Sequence, residues 1–514
     1  MNKETVFLRT GKTQEQVSES CCEYVLPDYN SDVRKILFTK AVVRPSNKFT
    51  GSDEVELSGI VVYDVIYSDT EGKISHTSFT SDYDFSVKYK EESVENVIFD
   101  TRVSSFAVRL LSPRKFSAKA SLCSGVKMIE QIKYLPEGNA FEKESPELLK
   151  KTFRVRNIMQ SDTVEREYAE MITAIDGAIE DELKAIYRKA EIVTESLSAD
   201  DGRVNLRGEL YLTAVIQNGD EPAYFVEKTV PIEEEINLSV SPENTKLTPV
   251  VLISSENVTI NPTDSGCEVV MNVIADISVR VEKNEEVELL LDSYSTFCPT
   301  NNGYSDFNYL ELIDVIKMND QHTAEILRSD VEEGRIKEII FMDAQPKIDS
   351  VLTEKDGVRL LGEIKYSGIA SEINDDGSVS YSSIKHTAPF EEKVNNCCQN
   401  KENVRVDAKV STSRANAKID GNKIYLEAGL FVEFTLSEES SEKILVSSVL
   451  CEDEKYESGD SKIVAYYPDE GESLFSIAKK FHTSVERLAK LNPIAEEVSL
   501  SESANKAFKR LLIW

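Results

Sequence analysis

Residues 55–67 read Val-Glu-Leu-Ser-Gly-Ile-Val-Val-Tyr-Asp-Val-Ile-Tyr. Val55, Leu57, Gly59, Val61, Tyr63, Val65 and Tyr67 occupy alternate positions, the period of a strand with one buried face. Gly59 at its centre leaves room for a bulge or for close approach of another strand. The polar stretch Ser68–Gly72 then predicts a turn, with a hairpin partner after it. The first five residues recur. Val55-Glu-Leu57-Ser-Gly59 is echoed by Val204-Asn-Leu206-Arg-Gly208 and Val358-Arg-Leu360-Leu-Gly362, at spacings of 149 and 154 residues. Ala41, Ala190 and Ala344 each lie 14 residues before the motif Val, and Ile36, Ala185 and Ile339 each lie 19 before it. Such concordance marks a repeated structural unit. In the third copy, Asn374-Asp-Asp-Gly377 has the composition of a hairpin turn.

Working outward, each copy carries a second strand-rich half: Phe116–Leu122, Glu268–Val279 and Lys423–Phe434. The expected fold is mainly β, with three sandwich- or barrel-like units spanning 1–145, 146–302 and 303–456. Connecting helices are expected at two places. Ile172, Ile175, Ile179, Leu183 and Ile186 step by 3, 4, 4 and 3, one apolar helix face, and Tyr309–Leu327 has similar spacing. Each helix would cover the start of a sheet or form a contact between units. Glu142–Pro146 and Cys298–Gly303 read as linkers.

Composition excludes several functions. The chain has 514 residues, with 59 Lys and Arg against 91 Asp and Glu, a net charge of −32. Binding nucleic acid or an anionic membrane needs clustered bases, so neither is an expected partner. No apolar run reaches the roughly 18 residues of a membrane span, and Met1–Thr10 has no apolar core, so no export signal is expected. The eight Cys contain no C-x-x-C pair, and reduced thiols are expected. Cys21–Cys22 and Cys397–Cys398, if in strands, would point to opposite faces. His76, His322, His386 and His482 have no second His at i+3 or i+4, and no phosphate-binding or nucleophile-elbow motif occurs. No catalytic residue, metal site or cofactor is therefore expected.

After Glu452–Asp460 the pattern changes. Ile463–Tyr467 is a short strand, Asp469–Ser473 a turn ending in an N-cap, and Leu474, Ile477, Ala478 and Phe481 a helix face. Thr483-Ser-Val-Glu486 reads as a capping box for a second helix that stops at Asn492-Pro493. Leu511–Ile513 offers a closing strand, giving a β-α-α-β unit at 461–514.

Tyr467–Pro493 resembles the LysM domain: the run Gly471-Glu-Ser-Leu-Phe-Ser-Ile-Ala478, Phe481 ending helix one, and Leu491-Asn-Pro493 ending helix two. The resemblance implies a shallow groove for N-acetylglucosamine-containing glycans. Its loops would be Asp469, Glu470, Gly471, Glu472, Ser473 and Leu474 on one side, and Asn492, Pro493 and Ile494 on the other. Leu26-Pro-Asp-Tyr-Asn-Ser-Asp-Val-Arg-Lys-Ile-Leu37, with the Val-x-Leu-x-Gly strand after it, resembles the SPOCS domain of clostridial spore-coat proteins. Three such units and a terminal LysM domain imply a non-enzymatic scaffold of the spore coat. It would work in the mother-cell cytoplasm at the forespore surface and later in the coat. Its LysM domain would dock onto a SpoIVA-type coat morphogenetic ATPase, with other coat proteins and further copies of itself as additional partners. The alternatives are a glycan-binding wall protein and a LysM-targeted hydrolase.

Overall fold

The computed structural model describes residues 4–513 apart from 52, 90–93, 144–145, 201, 220, 239–243, 329–330, 332–335, 356, 375–376, 399–402, 457–462, 493–509 and the side chain of Ser46. The first unit contains β1 (Thr5–Thr10), β2 (Gln14–Val25), β3 (Val33–Thr50), β4 (Glu54–Asp69), β5 (Ile74–Lys88), β6 (Val94–Ser112) and β7 (Lys115–Tyr134). In one sheet β7 is central, with β6 on one edge and β1 and β2 end to end on the other; the second sheet is the meander β3-β4-β5. The faces pack as a sandwich. Val61, Tyr63, Val65 and Tyr67 of β4 meet Phe116, Ala118, Ala120 and Leu122 of β7. Alternation along the opening motif thus produces the core face directly.

The topology repeats. After a four-residue helix α1 (Ala140–Lys143), the second unit contains β8 (Glu147–Gln160), β9 (Val164–Asp176), β10 (Leu183–Asp200), β11 (Arg203–Asn218), β12 (Tyr224–Asn237), β13 (Lys246–Pro262) and β14 (Gly266–Tyr294). The third contains β15 (Thr300–Leu327), β16 (Ile336–Glu354), β17 (Gly357–Ile373), β18 (Val379–Asn395), β19 (Val404–Asp420) and β20 (Lys423–Leu450). The meanders are β10-β11-β12 and β16-β17-β18, and the central strands of the other sheets are β14 and β20. The repeated Val-x-Leu-x-Gly therefore sits on the middle strand of each meander. Its glycine faces a bulge on the neighbouring strand, at Pro45/Asn47, Thr194/Ser196 and Ile348/Ser350. A Cβ at Gly59, Gly208 or Gly362 would collide with the carbonyl oxygen of Arg44, Val193 or Lys347. Only glycine admits that approach.

A second bulge, nearer the start of each meander, joins the units. It makes Leu37, Ile186 and Ile340 the extra residues of β3, β10 and β16. All three are buried, together with the residues that follow them, Phe38, Tyr187 and Phe341. Those rings touch one another: Phe38–Tyr187 at 5.7 Å, Phe38–Phe341 at 5.1 Å and Tyr187–Phe341 stacked at 4.2 Å. The three units thus close around a shared aromatic centre. A second apolar cluster joins the other sheets through Phe7, Phe153 and Phe307. Tyr134 pins it: its hydroxyl donates to Leu445 O at 2.7 Å and accepts from Leu290 N at 3.2 Å.

Neither expected connecting helix forms: the second is a strand, and the first is two strands joined by a turn that holds Ile179 and a single 3-10 turn at Glu180–Glu182. Ile172 and Ile175 lie in β9, Leu183 and Ile186 in β10, and Tyr309–Leu327 in β15, which pairs with β20 throughout. The reason is bulging. Ile172, Ile186 and Ile313 are each the extra residue of a bulge. One added residue turns an apolar period of two into a step of three, which imitates a helix face. Long-range pairing then decides. Cys21 and Cys22 do lie on β2, one exposed and one half-buried, but Cys397 and Cys398 follow β18 in a bend, with sulfurs 3.5 Å apart. Of the turn at 374–377, residues 375–376 lie outside the described residues, as do 144–145 of the first linker.

Candidate functional site

The C-terminal module is built from β21 (Val464–Tyr466), α2 (Leu474–Lys480), α3 (Val485–Leu491) and β22 (Leu511–Ile513), with β21 and β22 antiparallel. Ser473 starts α2 through a reciprocal capping box with Ser476: Ser476 N donates to Ser473 Oγ at 3.1 Å and Ser473 N to Ser476 Oγ at 2.8 Å. The cap of α3 is Ser484, one residue beyond the expected Thr483, and it accepts from Arg487 N. Leu474, Phe475, Ile477, Ala478, Leu488, Leu511 and Ile513 form the core.

The loop between β21 and α2 is held by one carboxylate. Glu472 accepts from Tyr466 Oη at 2.6 Å, from Asp469 N at 3.0 Å and from Lys480 Nζ at 3.1 Å. Lys480 also donates to Tyr466 Oη at 2.8 Å. The Tyr466 hydrogen bond, reinforced by Lys480, holds Glu472 below the usual carboxylate range; bonding to Glu472 pushes Tyr466 up. Asp469, Glu470 and Gly471 are exposed, and Gly471 has φ of 89°. Leu474 faces the core. Asn492 is buried, and clamps α3 to β22: its amide donates to Leu488 O at 2.9 Å and Leu512 O at 2.7 Å and accepts from Leu512 N at 2.7 Å. Leu512 pairs with Ala465, so Asn492 is tied through β22 to the β21–β22 pair. Pro493 and Ile494 lie outside the described residues. Tyr466 and Lys480 were not among the expected site residues. The signal available for Lys480 is an acid and a base eight residues apart, Glu472 and Lys480, bracketing a short capped helix.

Residues 469–500 match the LysM domain. No curated protein and no solved structure matches the chain. The LysM domain rests on the second β-unit. Tyr294, at the end of β14, enters its core, packing edge-on against Phe475 at 5.0 Å and donating to Thr483 O at 2.8 Å. Leu149 packs beside it, Lys479 Nζ pairs with Asp292 at 2.6 Å, and Tyr456 stacks on His482 at 3.5 Å.

A recess of about 270 Å³ lies where the three units meet, lined by Lys12, Thr13, Arg156, Arg405 and Asp407 among others. Arg156 is engaged by Glu282 at 2.6 Å and Ser437 at 3.0 Å, and Asp407 by Lys127 and Thr13 at 3.0 Å. Lys12 and Arg405 both pair with Glu439. The charged groups of the lining are thus paired, several of them across units. Among the described residues no three His, Cys, Asp or Glu side chains gather as a metal site requires, and no helix is long and apolar enough to cross a membrane.

Proposed function

We propose that the chain is a non-catalytic binding protein in which a body of three β-units carries a LysM domain that engages N-acetylglucosamine-containing glycan, peptidoglycan being the first candidate. The LysM match over 469–500 carries this reading. The exposed loop Asp469–Gly471, braced from behind by Glu472, supports it as a preformed shallow surface. The absence of catalysis is supported by the repeats. They share apolar and glycine positions, while polar residues at matching positions differ, as Glu56, Asn205 and Arg359 do. Co-sedimentation of the full chain with purified peptidoglycan tests the reading. Pelleting that a soluble N-acetylglucosamine oligomer competes away is expected; a chain that stays in the supernatant overturns it.

A second reading places the protein in the spore coat as a scaffold. It would act at the forespore surface in the mother-cell cytoplasm, with the LysM domain docking onto a SpoIVA-type ATPase and the β-units meeting other coat proteins. It rests on the resemblance of Leu26–Leu37 to the SPOCS pattern. Its first part, Leu26–Asp32, is a built loop that leads into β3: Arg114 donates to Pro27 O at 2.7 Å, Asn30 O at 3.0 Å and Asp32 at 2.8 Å, and Leu26 is buried. Co-purification with the ATPase, without pelleting on peptidoglycan, would favour this reading over the first.

A further inference from the structure

We infer that Tyr294 and Asp292 of the second β-unit are positioning residues for the LysM ligand loop, setting both its direction and its conformation from outside the LysM domain. The inference rests on the reading that the 469–474 loop binds ligand. Three observations carry it. First, Tyr294 is 2% exposed and belongs to the LysM core: its ring meets Phe475 in the first turn of α2, and its hydroxyl is bonded to Thr483 O in the turn after that helix. One body side chain therefore touches both ends of α2. Second, adjacent lysines on α2 tie it in two directions. Lys479 reaches the body at Asp292, while Lys480 reaches the ligand loop at Glu472 and Tyr466. Third, Asp292 is itself fixed, accepting from Asn302 Nδ2 at 2.9 Å and Tyr304 Oη at 2.8 Å. A rigid anchor, one short helix and a carboxylate-braced loop form a continuous chain of contacts. The body also covers the Phe475, Lys479 and Thr483 side of the domain and leaves Asp469–Gly471 open. The loop consequently faces one fixed direction relative to the body that holds α2.

The test uses the full chain with three readouts: the zero-length carbodiimide cross-link between Asp292 and Lys479, hydrogen exchange at Glu472 and Ser473, and affinity for a soluble N-acetylglucosamine oligomer. Tyr294→Ala is expected to lose the cross-link, speed exchange in the loop and weaken binding by about tenfold or more. Tyr294→Phe, which keeps the ring and gives up one hydrogen bond, should retain the cross-link and lose less than about fivefold. Should Tyr294→Ala fail to fold, Lys479→Gln is read by exchange and affinity, both moving in the same direction as in Tyr294→Ala. A Tyr294→Ala chain that is folded, cross-links normally and shows unchanged loop exchange overturns the inference, as does a Lys479→Gln chain unchanged in both readouts. If the wild-type chain binds no oligomer, the glycan reading fails, while the cross-link and exchange still decide whether the body positions the loop.

Discussion

Fifteen residues before each motif Val stand Lys40, Lys189 and Asp343. They follow the aromatic centre by two residues in each unit, and so bring charge close to the shared axis. Lys189 Nζ lies 2.8 Å from Asp343 and 2.7 Å from Glu191, and Lys40 Nζ lies 5.9 Å from the Tyr187 ring. Burial alone would raise the Asp343 carboxyl; the charges of Lys189 and Lys40 outweigh it and hold Asp343 below its ordinary 3.8. Its stabilising contribution is therefore present above the unfolded pKa and lost as pH falls through the still lower folded value. Lys189→Met leaves the buried carboxylate with one partner fewer and should cost about 3 kcal/mol at neutral pH. In the variant burial pushes the Asp343 carboxyl up and it escapes by taking up a proton, so the gap from wild type should narrow as pH falls from neutral through that raised value toward the wild type's depressed one. Urea unfolding midpoints from pH 3 to 7 check both statements; a gap that stays constant across that range would show that the pair is not coupled to folding. Nothing in the local sequence announces the Lys189–Asp343 and Lys40–Tyr187 contacts, because those partners come from different units.

At the scale of elements, the bulge is the device that the fold repeats. The glycine of Val-x-Leu-x-Gly was legible as a place where backbone comes close, and each copy uses it that way. Gly208→Ala would drive a Cβ into Val193 O and force the β10–β11 bulge to shift. The expected cost is about 2 kcal/mol, read as a lowered urea midpoint, and Gly59→Ala and Gly362→Ala should behave alike; an unchanged midpoint would mean that the bulge relaxes freely. The bulges that aim Leu37, Ile186 and Ile340 inward were not legible as bulges. Ile36, Ala185 and Ile339, the residues just before them, did show as concordant positions, but in the second copy Ile186 read as part of a helix face. A period of two broken by one inserted residue is indistinguishable, over a short window, from a helix face. In the LysM domain the opposite holds. Capping and spacing are local there, so β21, α2, α3 and β22 follow from the chain itself, with only the α3 cap displaced by one residue.

At the scale of the whole molecule, the net charge of −32 opposes contact between copies. If the protein self-associates, its interfaces work against that repulsion, and screening should strengthen them. Raising salt from about 0.1 to 1 M shortens the Debye length from about 10 to 3 Å, so sedimentation velocity should show an unchanged or larger assembly. A smaller one would mean that ion pairs, rather than apolar contact, hold copies together.

The repeat, its strand period, the glycine positions and the terminal LysM domain are written in neighbouring residues and their spacing. The turn Asp469–Ser473 and its N-cap were legible for the same reason. Tertiary structure alone decided the aromatic meeting of Phe38, Tyr187 and Phe341, the Lys189–Asp343 pair, and the entry of Tyr294 into the LysM core. Those contacts join residues roughly 150 or more positions apart, such as Tyr294 and Phe475. Their geometry depends on how bulged strands and packed sheets turn side chains toward one another, and no local pattern encodes it.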